Sequence, residues 1–428
     1  MPTPRDRERL RRVAAQYAEI VNGDVMNARR EVWRRSNRLE ERTVPFQIED
    51  NGTFFADLTP AAQCEGQFER GLEQGMLHAI TNYEHIDDDR VFPPYCAINW
   101  AISKPSLCPD LKITRAPDAT GRELGYKTNT PLADLAHSFH KLRRGPFTVN
   151  REETLRRVEM AEKAFGDLLP VRIVAGQTLG AGTGMAGNAV RLMGMDNLYM
   201  AMIDQPENVH RFFEFVATEA VEFLDWLEAE GLICPNQGEF SVGSGSCGYT
   251  DELPRRRIAD GDKMRPADCW GFQEAQEAVG LSPAMYAEFI HPYQRRTSDR
   301  YGLLYYGCCE PVHQFWPTLK AFRNLRKVTV SPWCDQASIA ASVGKSVVLS
   351  RKPHPMKLTG PTFDPAAFEA HVRETLDLAR DNFVELIFRD TCRLSGAMKA
   401  RVSEACRTVR RLIGRDAGSK QGTRRSAR

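Results

Sequence analysis

The sequence alternates between short apolar runs and longer amphipathic stretches. Eight of the short runs have the length, apolar content and polar boundaries that are typical of β-strands. They are residues 44–49, 91–102, 168–175, 232–235, 303–306, 326–331, 346–350 and 384–388. Helical sequence separates each run from the next. This pattern predicts the α/β fold class and a (β/α)8 TIM barrel, whose functional groups lie where the strands end.

Other segments flank or interrupt the predicted barrel. Apolar residues spaced three and four apart predict an N-terminal helical extension over residues 1–43, followed by the barrel over residues 44–413. Residues 104–148 are rich in proline and glycine and only weakly periodic, so we predict an inserted loop region there. Residues 414–428 are basic and almost without apolar side chains, which predicts a disordered tail.

Composition limits the classes of function. The chain has 428 residues, 42% of them hydrophobic, which is enough for a large buried core. The 58 Lys and Arg residues nearly balance the 56 Asp and Glu residues, so the charge favours neither nucleic acid nor a membrane as partner. The sequence lacks a signal-type start and any apolar run of about 20 residues, which predicts a cytoplasmic protein. The 11 cysteines are then expected to be reduced thiols.

The most informative strand end follows residues 303–306. Two thiols and a carboxylate, Cys308, Cys309 and Glu310, come directly after this apolar run. Thiolates and a carboxylate can hold zinc with one position left open for a substrate. The spacing contains no CxxC or HExxH motif, so cysteines buried for packing are the alternative interpretation.

Polar side chains also follow the other predicted strands. Asn236 and Glu239 follow the fourth strand and are candidates for polar contacts with a substrate. Asp335 follows the sixth strand and is a further candidate, although it could instead orient the metal ligands or cap the following loop. Lys352 follows the seventh strand and could bind an anionic part of the substrate, or form an exposed basic pair with Arg351.

The order of strand ends resembles the uroporphyrinogen decarboxylase superfamily, particularly its methyltransferase branch. In that branch, enzymes that transfer methyl groups between corrinoid proteins and thiols bind zinc through His-x-Cys on the fifth strand and a cysteine on the eighth. The matching segments here are residues 306–310, Tyr-Gly-Cys-Cys-Glu, and residues 390–392, Asp-Thr-Cys. The resemblance covers roughly residues 44–411. It extends to an uncharacterised bacterial subgroup with the strings YGCCEP, SPW and SRKPxP, which stand here at residues 306–311, 331–333 and 350–355.

The resemblance implies a set of site residues. Cys308, Cys309, Glu310 and Cys392 are the implied zinc ligands, and Glu310 and Asp390 are the candidate catalytic carboxylates. Tyr306 stands where the family has its zinc-binding histidine. Either Glu310 or Cys309 therefore replaces that ligand, or the metal is absent.

The decarboxylase branch fits less well. Its arginine-rich N-terminal signature falls near residues 42–50, which here read Arg-Thr-Val-Pro-Phe-Gln-Ile-Glu-Asp. Acids replace the arginines that would bind a polycarboxylate. A polyanionic porphyrinogen is therefore an unfavourable substrate.

The resemblance implies a zinc-dependent methyltransferase that moves a methyl group between a separate corrinoid protein and a thiol or related small acceptor. The chain has no Asp-x-His-x-x-Gly motif for binding a corrinoid, so the corrinoid is expected on a partner protein. Two alternatives remain open from the sequence. One is a metal-free lyase of the decarboxylase type acting on a small carboxylated substrate, and the other is a barrel without catalytic activity.

Overall fold

The computed structural model describes residues 2–49, 57–116, 125–238, 241–259, 261–389 and 395–415. The β-strands are β1 (Phe46–Ile48), β2 (Cys96–Asn99), β3 (Ile102–Ser103), β4 (Ile113–Ala116), β5 (Gly125–Thr128), β6 (Thr148–Val149), β7 (Val171–Val174), β8 (Trp270–Gln273), β9 (Leu303–Tyr306), β10 (Leu325–Val330), β11 (Val348–Arg351) and β12 (Phe383–Phe388).

The helices are α1 (Pro4–Val21), α2 (Asp24–Asn37), α3 (Gln67–His85), α4 (Leu135–Ser138), α5 (Arg151–Phe165), α6 (Gly176–Leu179), α7 (Met185–Met193), α8 (Met195–Asp204), α9 (Pro206–Ala229), α10 (Pro283–Phe289), α11 (His291–Ser298), α12 (Trp316–Leu319), α13 (Gln336–Val343), α14 (Met356–Thr359), α15 (Pro365–Leu378) and α16 (Lys399–Leu412). None of these helices is both long enough and apolar enough to cross a lipid bilayer.

A six-stranded parallel sheet forms the centre of the fold. Its strand order is β1-β12-β11-β10-β9-β8, and a separate parallel pair joins β2 to β7. The last strand thus pairs with the first, as it does in a (β/α)8 barrel. Within the described ranges the ladder is interrupted between β1 and β2 and between β7 and β8. The predicted barrel is therefore confirmed as a half-barrel of six parallel strands with a separate pair, and a closed ring is not shown.

Two carboxylates cover the edge of β1 opposite β12. The Phe46 amide donates to Asp89 Oδ2 at 3.0 Å, and the Ile48 amide donates to Asp88 Oδ2 at 2.9 Å. Arg410 and Arg415 pair with Asp89 from the other side. Side chains thus satisfy the backbone groups that a neighbouring strand would otherwise bind, which explains why the ladder stops here.

One predicted strand is wrong and another was missed. Residues 232–235 form no strand, and the fourth long parallel strand of the chain is β8. The Asn236 side chain explains this, because its Oδ1 accepts from the Trp270 amide at 2.8 Å and its Nδ2 donates to the Trp270 carbonyl at 2.9 Å. A side-chain amide thereby occupies the backbone groups of β8 that a neighbouring strand would pair with.

A loop around residues 241–250 fills the interior between the strands. Val242 packs in a small apolar cluster with Trp270 and Tyr305. The loop passes so close to the strands that a Cβ on Gly243 would lie 2.2 Å from the Phe272 ring, and this glycine has a φ of +108°. Glycine is therefore required for the close approach.

Amphipathic helices build the outer layer. Leu10, Val13 and Tyr17 form the buried stripe of α1, which packs with α3 and α5 in a core of its own. The main core lies between the outward-facing side chains of the sheet and helices that include α7, α9 and α15. In the predicted insertion, β4 and β5 form an antiparallel pair ahead of the short helix α4.

Candidate functional site

Two adjacent thiols lie just beyond the end of β9. Cys308 is half-buried and Cys309 is exposed, and their sulfur atoms are 3.7 Å apart. Two thiolates on one tetrahedral zinc ion, each with a bond of about 2.3 Å, would lie about 3.8 Å apart. The two sulfur atoms therefore already have the separation that a shared zinc ion requires.

The Cys308 thiol is stabilised as a thiolate. The contact with Cys309 and the charge of Arg389 lower its pKa to about 6, against the opposing effect of burial. Arg389 Nη1 lies 3.4 Å from Cys308 Sγ, and Arg389 Nε binds Glu49 Oε2 at 2.5 Å. A deprotonated thiol is both the metal ligand and the nucleophile, so Cys308 is prepared for either role near neutral pH.

Glu310 supports the loop that carries the thiols. Its carboxylate is fully buried, with Oε2 accepting from the Cys308 amide at 2.8 Å and Oε1 accepting from the Ala275 amide at 2.9 Å. Burial raises the pKa of Glu310 to about 7. Burial and the nearby Glu310 together raise the pKa of Glu274 to about 8. Each oxygen of Glu310 is thus occupied by an amide, so its carboxylate fits a zinc ion less well than the two thiols do.

A charged network lies deeper in the interior. Lys327 Nζ donates to Glu385 Oε2 at 2.8 Å, and both side chains are fully buried. Lys327 also donates to Ser246 Oγ at 2.7 Å and to the Cys247 carbonyl at 3.0 Å. Glu385 Oε1 accepts from Ser350 Oγ at 2.5 Å. The network ties the loop at residues 241–250 to β10, β11 and β12.

Lys352 belongs to the same network and lies one residue beyond β11. Its Nζ donates to Ser350 Oγ at 2.7 Å and to Tyr305 OH at 2.8 Å. The side chain is only 3% exposed. The alternative of an exposed basic pair with Arg351 therefore does not hold for Lys352. Burial also lowers the pKa of Lys352 to about 7.

Two other predicted substrate contacts have structural partners. Asn236 is bound to Trp270, as described above, and also lines a cavity of about 200 Å³ beside Asn99 and Gly176, near the ends of β2 and β7. Asp335 accepts from the Ser338 amide at 2.9 Å and caps α13. The capping alternative for Asp335 is therefore the observed arrangement.

The remaining predicted site residues, Glu239, Asp390 and Cys392, lie outside the described residues. Within the part of the chain that the structure describes, no group of three or more His, Cys, Asp or Glu side chains could hold a metal ion. The ligand set of four that the sequence predicts stays a prediction.

Several interior residues escaped the sequence analysis. They are Ser246, Lys327, Ser350 and Glu385 of the buried network, together with Tyr305. A signal for two of them was present, because Lys327 and Glu385 interrupt apolar strands at positions that face the interior. Ser246, in the loop, had no such signal, since nothing in the sequence shows that residues 241–250 enter the interior between the strands.

The comparisons with known proteins follow the fold. No family model matches the chain, and no curated protein matches it in sequence. Among solved structures, a methyltransferase from Methanosarcina mazei is similar, with a TM-score of 0.51 over 88% of this chain and 97% of that chain. The sequence identity is 11%, so this likeness shows a shared fold.

Proposed function

We propose that the chain is a zinc-dependent methyltransferase that moves a methyl group between a corrinoid carried by a separate protein and a thiol or related small acceptor. The observation that carries the proposal is the pair of thiols, Cys308 and Cys309, held 3.7 Å apart beyond a central strand. The likeness of fold to a methyltransferase supports the same class of reaction.

In this proposal Cys308 and Cys309 hold the zinc ion together with Cys392, which lies three residues beyond Arg389 in the sequence. Zinc would supply a Lewis acid that keeps a bound thiol deprotonated near neutral pH. The reaction forms a bond between sulfur and the methyl carbon, and it breaks the bond between the methyl group and its carrier.

The protein's own groups prepare the site. Arg389 stabilises negative charge on the Cys308 sulfur, and Glu49 fixes the guanidinium in place. Glu310 holds the Cys308 amide, which sets the direction of the thiol. The raised pKa of Glu274 leaves a buried carboxyl near this site that can carry a proton at neutral pH. Asp390 remains a second candidate for this role.

A methyl-transfer assay tests the proposal. The purified full-length chain, loaded with zinc, is incubated with methylcobalamin and 2-mercaptoethanol, and the methyl thioether is measured by mass spectrometry. We expect wild type to form the thioether and Cys308→Ser to be slower by about 100-fold or more. Cys96→Ala is the matched control, because this thiol lies on β2 away from the pair, and its rate should stay within about twofold.

Two results would contradict the proposal. Equal rates for wild type and Cys308→Ser would remove the thiol from the reaction. No thioether from zinc-loaded wild type, with either methylcobalamin or a methylated corrinoid protein as donor, would favour the alternatives of a lyase or a barrel without catalytic activity.

A further inference from the structure

Three cations on or next to the central strands have different partners. Lys327 pairs with Glu385 at 2.8 Å and Arg389 pairs with Glu49 at 2.5 Å. Lys352 instead donates to two neutral hydroxyl groups. Among the residues that the structure describes, it forms no ion pair with a carboxylate within 4.0 Å. Burying an ammonium ion without an adjacent anion is costly, and such a group tends to lose its proton instead.

Several charged groups face Lys352 at longer range. Glu385 on β12, Glu49 beyond β1 and the Cys308 thiolate beyond β9 raise the pKa of its amine, whereas burial and Arg389 lower it. Burial is the largest of these effects, and the pKa falls to about 7. A large fraction of the amine is therefore neutral, and so nucleophilic, at neutral pH.

We propose that Lys352 is an amine nucleophile that forms an imine with small aldehydes or 2-oxo acids entering from the strand ends. Its place supports this role, because it follows β11 at the end of the sheet where functional groups of such folds lie. Its partners support it as well, since Tyr305 OH and Ser350 Oγ lie 2.8 and 2.7 Å from Nζ. This activity is independent of methyl transfer at the thiol pair.

The hydroxyl groups can move the protons of this reaction. The nitrogen lone pair attacks the carbonyl carbon, a C–N bond forms, and the carbonyl oxygen takes up a proton. The C–O bond then breaks and the oxygen leaves as water, so that the amine gives up both of its protons. Tyr305 donates to Ser350 at 2.8 Å and Ser350 donates to Glu385 at 2.5 Å, which forms a path for proton exchange. The step needs neither an oxidant nor a reductant.

The chain contains its own controls. Lys327 is also buried, but its Nζ is held by an ion pair with Glu385 and by two further hydrogen bonds. Lys345 is exposed to solvent, so it does not experience the burial that acts on Lys352. Both lysines should therefore react more slowly than Lys352.

Reductive trapping tests the inference. The native full-length protein is treated at pH 7 with acetaldehyde or pyruvate and sodium cyanoborohydride, and the modified lysines are located by peptide mass spectrometry. We expect Lys352 to be modified at least about tenfold faster than Lys327 and Lys345. Faster trapping with pyruvate would identify 2-oxo acids as the preferred class, and faster trapping with acetaldehyde would identify uncharged aldehydes.

Trapping of Lys352 no faster than that of Lys345, with both reagents, would overturn the inference. This comparison is made within the folded wild-type protein and does not depend on a variant that folds. Lys352→Arg, which keeps a positive charge but removes the reactive amine, should lose the fast labelling and leave labelling of Lys345 unchanged. Fast labelling that persists elsewhere in Lys352→Arg would also contradict the assignment.

Discussion

Replacing Lys327 by methionine should be among the most destabilising changes to the interior. The substitution removes the 2.8 Å ion pair with Glu385 and the hydrogen bonds to Ser246 and the Cys247 carbonyl. Glu385 would remain fully buried without its nearest cation. Breaking a buried ion pair from one side costs about 3 to 5 kcal/mol, and we expect a loss of unfolding free energy in that range.

The cost should depend on pH in a defined direction. Burial alone would raise the pKa of Glu385, but Lys327 and Lys352 outweigh it and lower the pKa. A carboxyl whose pKa is lower in the folded protein contributes stability above its unfolded pKa, and loses it as pH falls through the folded value. Without Lys327 the effect of burial dominates and the pKa rises. The penalty of Lys327→Met should therefore be largest at pH 8 and shrink as pH falls toward 5.

Equilibrium unfolding in urea, followed by circular dichroism and tryptophan fluorescence, measures both effects. The exposed Lys345→Met is the control and should change the free energy by at most about 0.5 kcal/mol. The double variant Lys327→Met/Glu385→Gln should lose less than the sum of the two single variants, because it leaves neither member of the pair buried as an unpaired charge. A cost below about 1 kcal/mol for Lys327→Met, or one that is equal at pH 5 and pH 8, would refute the reasoning.

Three further predictions concern the site and the fold. Arg389→Met removes a cation that lies 3.4 Å from Cys308 Sγ. The pH at which iodoacetamide alkylates Cys308 at half its maximal rate should therefore rise by about one unit from near 6. An unchanged pH profile would show that Arg389 does not stabilise the thiolate. Gly271→Ala would place a Cβ 2.3 Å from a ring atom of the buried Tyr301 and should lower the free energy of unfolding in urea by about 1 to 3 kcal/mol. Gly125→Ala is the control and should cost little, because no atom lies within 4 Å of the added Cβ. Asp89 is one of the two carboxylates that cover the edge of β1, and Asp89→Asn weakens its ion pairs with Arg410 and Arg415. The variant should lower the free energy of unfolding by about 2 kcal/mol, and a change below about 0.5 kcal/mol would contradict this role.

Much of the fold could be predicted from periodicity. The apolar runs at residues 303–306, 326–331 and 384–388 correspond closely to β9, β10 and β12, because strands buried on both faces read as nearly continuous apolar sequence. The fourth strand could not be placed in this way. The sequence of β8, Trp-Gly-Phe-Gln, is short and contains glycine, while the more apolar residues 232–235 form no strand.

The candidate site was predictable only in part. The expectation that functional groups lie where parallel strands end located Cys308 and Lys352, because it depends on the direction of the strands and on their order. It could not show that the Glu310 carboxylate turns back to backbone amides, or that Asp335 caps a helix, since both depend on local loop geometry. It also could not find Ser246, which reaches the interior from a long loop.

The central claim is that the thiol pair holds a catalytic zinc ion, and metal content tests it most directly. Full-length protein prepared without oxygen is compared with Cys308→Ser and with Cys96→Ala by elemental analysis. The account predicts about one zinc ion per chain in wild type and in Cys96→Ala, and less than about a tenth of that in Cys308→Ser. Zinc that is absent from wild type even after incubation with zinc salts, or that remains in Cys308→Ser, would contradict it.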